Sequence, residues 1–271
     1  MSIALLIQAA LLGVVEGLTE FLPVSSTGHL LIAGRLLDFD GISFNIVIQV
    51  GAILAVCWVY RERLMRAAFG LFVLNDARRA ESWHFSLVLL MAFLPAMVFG
   101  AVAYRFIIDV LFDPDNLWVI FIALILGGIA ILVIERRFWH PRFERVDDFT
   151  YPLALKIGLV QCLSLVPGVS RAGATIMGAL TFGVDRKAAT EFSFFLAIPT
   201  MVAATAYDLF MHWSDLDFSD GAAIAVGFVV SFFVAMIVVR TCIGFITRYG
   251  FASFAWYRIG LGLTGLIWLA L

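Results

Sequence analysis

Six long apolar runs, near residues 43–60, 85–104, 116–134, 190–211, 222–245 and 252–271, constrain this chain more than any other feature. About 20 apolar residues are enough for one helix to cross a bilayer, so the runs predict six spanning helices. Composition agrees. The 271 residues are 63% hydrophobic and 14% charged, with a mean hydropathy of +1.02. A soluble domain, typically about 45–50% apolar and about 25% charged, has enough polar surface to cover itself; this chain does not. The formal net charge of -2, with no basic domain or tail, argues against a nucleic-acid partner. Cys57, Cys162 and Cys242 lie inside apolar stretches and read as small buried hydrophobes rather than a disulfide framework. The first basic residue is Arg35, so no charged leader precedes the early apolar stretch and no cleaved signal peptide is expected.

Two further apolar segments, 1–37 and 151–183, are interrupted in the middle. The first carries Glu16, Glu20, Pro23, Ser25, Ser26 and His29; the second carries Gln161, Ser164, Pro167, Gly168, Ser170 and Arg171. A charge at mid-bilayer costs roughly 2.5–3.5 kcal/mol on insertion scales. Two carboxylates on one lipid-facing helix would therefore be expensive. A broken helix lining a protein-enclosed cavity avoids that cost. Both segments are expected to be re-entrant hairpins.

Arginines set the expected orientation. The connection 61–84 holds Arg61, Arg63, Arg66, Arg78 and Arg79, and the connection 135–150 holds Arg136, Arg137, Arg142 and Arg145. Arg248 lies between the last two runs. The alternate connections are acidic, with Asp109, Asp113 and Asp115 in one and Asp215, Asp217 and Asp220 in the other. The positive-inside rule puts the Arg-rich connections in the cytoplasm and both termini outside. The hairpins then enter from opposite faces, each followed by three spans, which is the plan of an inverted repeat: 1–135 and 150–271. Shifting the sequence by 145 positions tests this. Gly13, Val15, Leu18, Val24, Ser25 and Gly28 meet identical residues at Gly158, Val160, Leu163, Val169, Ser170 and Gly173, while Glu16 meets Gln161. Inverted repeats of broken helices place a shared site near the membrane interior.

The polar residues of the hairpins suggest its chemistry. Glu16 and Glu20 are one helical turn apart, share a face, and together can hold a divalent cation through oxygen ligands. Beyond Pro23, Ser25 or Ser26 can cap a second helix, whose first amides form an anion site. His29 stands three residues from Ser26, within reach of a hydroxyl one turn away. In the second hairpin Pro167-Gly168 is followed by Ser170 and Arg171. An arginine at a helix start opposes the macrodipole unless an anion sits there, and its planar donors suit phosphate. The alternative partner for Arg171 is a glutamate across the repeat interface. Two carboxylates, a hydroxyl near a histidine, an arginine and two helix N-termini add up to metal-assisted phosphoryl chemistry on a substrate reached from the membrane.

The run Gly13-Val14-Val15-Glu16-Gly17-Leu18-Thr19-Glu20-Phe21-Leu22-Pro23-Val24-Ser25-Ser26-Thr27-Gly28-His29 resembles the N-terminal signature of the bacterial undecaprenyl-diphosphate phosphatases, the bacitracin-resistance family. Pro167 to Thr175 resembles that family's second signature, and Glu191-Phe192-Ser193-Phe194 is also similar. One departure is Ala172, where the family usually has Ser. The resemblance spans essentially the whole chain. It implies an enzyme of the bacterial inner membrane that converts undecaprenyl diphosphate to the monophosphate and inorganic phosphate, with its site facing the periplasm. It also implies a role in recycling the carrier lipid for peptidoglycan, and bacitracin resistance. Carried onto this sequence, the catalytic set is Glu16, Glu20, Ser26, His29 and Arg171. Phosphate contacts fall to Ser25, Thr27, Gly28, Ser170, Arg171 and Thr175. A divalent cation, Mg or Ca, falls to Glu16 and Glu20. The nucleophile is open among Ser26, His29 and a metal-bound water.

Three rival readings make different demands. A polyprenyl-phosphate transporter would use the same inverted-repeat plan but needs no nucleophile. The acid-phosphatase-like lipid phosphatases have a second histidine shortly after their arginine. Here only His212 follows Arg171, 41 residues on. A membrane scaffold would need none of these polar residues.

Overall fold

The computed structural model describes residues 2–39, 41–72, 76–106, 117–137, 141–211, 213 and 220–270. The acidic connections at 109–115 and 215–217, and His212, lie outside these residues. Eleven α-helices are described: α1 Ile3–Thr19, α2 Ser26–Leu37, α3 Ile42–Val59, α4 Arg61–Gly70, α5 Asp76–Phe106, α6 Leu117–Arg137, α7 Tyr151–Gln161, α8 Arg171–Thr181, α9 Arg186–Met211, α10 Gly221–Tyr249 and α11 Ala252–Ala270. The only β pairing among the described residues is an isolated bridge between Phe143 and Val184.

Helices α5, α6, α9 and α10 are long and apolar enough to cross a membrane, and α3 joins them if it is taken with α4, which bends 77° away from it. The sixth expected span, α11, falls short of the same apolarity because Arg258 sits in its first half. Helix α5 also starts nine residues before the expected 85, since the polar stretch from Asp76 to His84 continues the helix. The outer surface suits lipid. Ile7, Leu126, Val133, Ile237, Leu263 and Ile267 are exposed, and so are all six described tryptophans: Trp58, Trp83, Trp118, Trp213, Trp256 and Trp268. Tryptophan is enriched at membrane–water interfaces.

Both interrupted segments fold as helix, break, helix. At about 1.5 Å per residue, α1 reaches about 25 Å, and α2, α7 and α8 less than about 20 Å. Each is shorter than a hydrocarbon core of about 30 Å. The second break requires a glycine. Gly168 has φ +88, and a Cβ there would lie 2.5 Å from the Ile120 carbonyl oxygen.

The two halves of the chain exchange partners. Helix α1 packs along α10, α7 packs along α5, and α6 pairs with α11. The glycines matched by the 145-residue shift do matching work: a Cβ at Gly13 would lie 2.5 Å from the Gly227 carbonyl oxygen on α10, and one at Gly158 would overlap that of Ala92 on α5. Such small residues let helix backbones approach closely in a membrane.

The Arg-rich connections gather at one end. Arg63 on α4 pairs with Asp147 at 2.6 Å, and Arg145 reaches the same carboxylate at 3.3 Å. Glu135 at the end of α6 accepts from Arg186 at 2.7 Å and from the Phe251 amide at 2.8 Å. That carboxylate joins the start of α9 to the α10–α11 turn. The segment between the halves is pinned there too, with the Arg142 amide donating to the Gly183 carbonyl at 2.6 Å.

Candidate active site

Chain geometry brings the two breaks together. Helix α1 ends at Thr19, yet the Glu20 amide still donates to the Glu16 carbonyl at 3.0 Å. Glu20 therefore keeps the helical register that places it one turn beyond Glu16. The chain then turns through Phe21–Ser25 and starts α2 at Ser26. Ser26 Oγ donates a hydrogen bond to Glu20 Oε2. The other carboxylate oxygen, Oε1, accepts from Arg171 Nη2 at 3.0 Å. One buried carboxylate thus joins the first residue of α2 to the first residue of α8. The glutamate alternative for Arg171 is realised in this structure, across the two halves.

Arg171 is held on its other side by α9. Its Nη1 donates to the Ser193 carbonyl at 2.9 Å, and the guanidinium lies 5.8 Å from the centre of the Phe21 ring. Phe21 meets Phe194 edge-on at 5.7 Å. The Glu191-Phe192-Ser193-Phe194 motif therefore supplies a main-chain acceptor and an aromatic wall. The sequence marked that motif but not this work. Ala172, at the position of the usual serine, is fully buried in the apolar core.

Glu16 is fully buried, and neither of its carboxylate oxygens has a hydrogen-bond partner among the described residues. An ionised carboxylate left so would be costly. A hard divalent cation, which takes oxygen ligands, fits this donor. No group of three or more His, Cys, Asp or Glu side chains is gathered among the described residues, so a cation here would rest on Glu16 and Glu20 alone.

The two helix starts differ. Ser170 caps α8 in the ordinary way: its Oγ accepts from the Gly173 amide at 3.0 Å and donates to the Leu22 carbonyl at 3.2 Å. Thr175 donates to Gln161 Oε1 at 3.1 Å and is fully buried. Both hydroxyls, expected to contact phosphate, are bonded within the frame in this structure. Ser25 occupies the cap position of α2, but its side chain makes no capping bond and its backbone is at φ 72, ψ 92. A non-glycine residue there costs about 1–3 kcal/mol, and such strain clusters at functional sites. The first-turn amides of α2, at Ser26, Thr27 and Gly28, receive no capping oxygen from Ser25, which suits them to an anion.

In this structure His29 is bonded away from Ser26. The expected Ser26–His29 pairing does not form. The imidazole turns to α11: Nδ1 bonds the Ser25 carbonyl at 2.7 Å and Nε2 bonds the Tyr257 hydroxyl at 2.7 Å. Glu20 takes the place at Ser26 that was expected for His29.

Arg258 was missed. It is 2% exposed on α11 and donates to main-chain carbonyls only: Pro23 at 3.0 Å, Gly168 at 3.0 Å, Ala123 at 3.2 Å and Leu124 at 3.4 Å. It grips both breaks at once. The signal was a lone arginine inside the last apolar run, which reads as functional by default in a membrane segment. Two cavities, of about 580 and 520 Å³, lie at the Arg-rich end, beside Arg63 and Arg145 and beside Arg142 and Lys156. They are separate from this constellation.

Residues 9–264 match the family model described as Bacitracin resistance protein BacA. The chain is 52% identical over 266 residues to a protein of Ectopseudomonas mendocina (strain ymp) named undecaprenyl-diphosphatase, covering 97% of this chain and 94% of that one. It is 53% identical over 266 residues to a Rhizorhabdus wittichii protein of the same name, covering 97% of each. With undecaprenyl-diphosphatase 2 of Rhodospirillum rubrum the identity is 53% over 267 residues, covering 97% of this chain and 94% of that one.

Proposed function

Because the chain belongs to the bacitracin resistance protein BacA family, we propose that it is a membrane phosphatase releasing inorganic phosphate from undecaprenyl diphosphate, with Ser26 as nucleophile. The observation that carries the assignment of Ser26 is its hydrogen bond to Glu20, with Arg171 on the same carboxylate. Glu20 takes the Ser26 proton as Oγ attacks the terminal phosphorus. The P–O bond to the lipid monophosphate breaks and a phosphoserine forms. Water then hydrolyses it to inorganic phosphate and restores the hydroxyl. Arg171 and the first amides of α2 stabilise charge on the transferring group. A transporter has no use for a hydroxyl paired with a carboxylate in this way.

Glu16, with Glu20 one turn on, would hold a divalent cation, Mg or Ca. Such an ion would supply charge neutralisation to the diphosphate.

The topology proposed is six spans, α3, α5, α6, α9, α10 and α11, with α1–α2 and α7–α8 as re-entrant hairpins of an inverted repeat. The exchanged packing of α1 on α10 and α7 on α5 supports it. So do the matched glycines. The gathered Arg-rich end is taken as cytoplasmic. The termini and the opening of the site then face the periplasm of the inner membrane, where the product re-enters carrier-lipid recycling for peptidoglycan. Bacitracin resistance, carried by the family's description, would follow from this activity.

Phosphate release by the purified protein from a C55 lipid diphosphate, with and without chelator, tests the assignment. Release that stops in chelator and returns with Mg is expected. Lipid binding without release would leave the transporter reading. Full release in chelator would remove the cation.

A further inference from the structure

We propose that the adjacent residues Tyr257 and Arg258 of α11 are positioning residues for phosphoryl transfer, holding the first break in the conformation that sets Ser26 against Glu20. The proposal rests on the reading of Ser26 as the nucleophile.

A serine at φ 72 does not stay there unaided, and a carbonyl on either side of it is held, one directly by α11 and the other through His29, which α11 bonds in turn. On one side the Pro23 carbonyl accepts from Arg258 Nη1 at 3.0 Å. On the other the Ser25 carbonyl is bonded by His29 Nδ1 at 2.7 Å. A carbonyl only accepts, so Nδ1 carries the proton. In a neutral imidazole Nε2 is then a lone pair. The Tyr257 hydroxyl, 2.7 Å away, donates to it. The two rings also stack, 5.6 Å between centres and 10° from parallel. Tyr257 thus fixes the tautomer and the orientation of His29, and through it the Ser25 carbonyl. Both ring nitrogens are engaged, which leaves His29 holding the break rather than serving Ser26.

Arg258 extends the same grip to the second break through the Gly168 carbonyl. Its acceptors are all neutral carbonyls, so its charge is not cancelled by any group bonded to it. An apolar side chain of equal volume would fill the space without burying a charge. What it could not do is hold four carbonyls of two breaks and α6 in register.

The test has two parts. In ¹⁵N-histidine spectra of the purified protein, with His29 assigned by loss of its signals in His29→Gln, the proton is expected on Nδ1. Tyr257→Phe, which keeps the ring stack, is expected to shift the Nε2 signal. An Nε2 signal unmoved by Tyr257→Phe would overturn the link. In turnover of undecaprenyl diphosphate, Tyr257→Phe is expected to lower kcat by about fivefold to tenfold, the worth of one hydrogen bond, with KM within about twofold. Unchanged kcat would overturn the positioning role. Arg258→Lys, which retains some carbonyl bonds, is expected to keep more kcat than Arg258→Met. Equal activity of the two would overturn the role of Arg258. Ser26→Ala measured alongside separates the failures. An active Ser26→Ala protein would sink the nucleophile reading. An inactive one beside a wild-type-like Tyr257→Phe would sink only the positioning.

Discussion

Two demands meet at Arg171, and they explain why an arginine stands at a helix start. In this structure it is divided between Glu20, across the two halves, and the Ser193 carbonyl on α9. Toward a diphosphate, the same planar fork can hold two oxygens, where lysine presents a point charge. Arg171→Lys is therefore expected to lose about 10²–10³ in kcat/KM, the usual cost of a donor aimed at transition-state charge, about 2.7–4 kcal/mol. Kinetics on the purified variant check this, and activity within about threefold of wild type would contradict a bidentate clamp. At this scale the sequence was informative about which polar residues meet and less so about who pairs with whom. Glu16, Glu20, Ser26 and Arg171 were legible from residue type and spacing. The exchange of Glu20 for His29 as the partner of Ser26 was not. It depends on how the chain turns through Phe21–Ser25 and on a tyrosine 228 residues away.

Among the elements, the breaks were legible because Pro and Gly interrupt apolar periodicity inside segments too polar to face lipid. The packing between elements was not read from the sequence, which marked the matched glycines only as a repeat; the structure gives two of them a close approach. Gly158 has no room for a side chain: even a methyl group would overlap the Ala92 carbonyl of α5. Gly244 on α10 has nothing within 4 Å of the same position. Gly158→Ala is expected to destabilise by about 1–3 kcal/mol, as overpacking does. Gly244→Ala should be neutral or slightly stabilising, since glycine costs about 0.5–1 kcal/mol in a helix. Thermal unfolding of the two variants in one detergent compares them, and equal midpoints would contradict the close approach of α7 to α5. In α11 the lone Arg258 was visible in the sequence, but its partners were not, because side-chain bonds to carbonyls of distant segments leave no periodic trace.

For the whole molecule, the arginines gather at an end knotted by Arg63–Asp147 and Arg186–Glu135, and the two broken segments, proposed as re-entrant hairpins, meet through Glu20 and Arg171. In intact cells, in a protein whose native cysteines have been replaced, a membrane-impermeant thiol reagent should label Asp220→Cys and spare Arg79→Cys until the inner membrane is opened. The same labelling at both would contradict the inverted topology. The central claim, that the meeting of the hairpins is a phosphatase site built on Ser26, is tested most directly by the covalent intermediate. Wild-type protein mixed with undecaprenyl diphosphate labelled on its terminal phosphate, and quenched within one turnover, should carry acid-stable label on Ser26. Acid-labile label on His29, or turnover with no labelled protein at all, would contradict it.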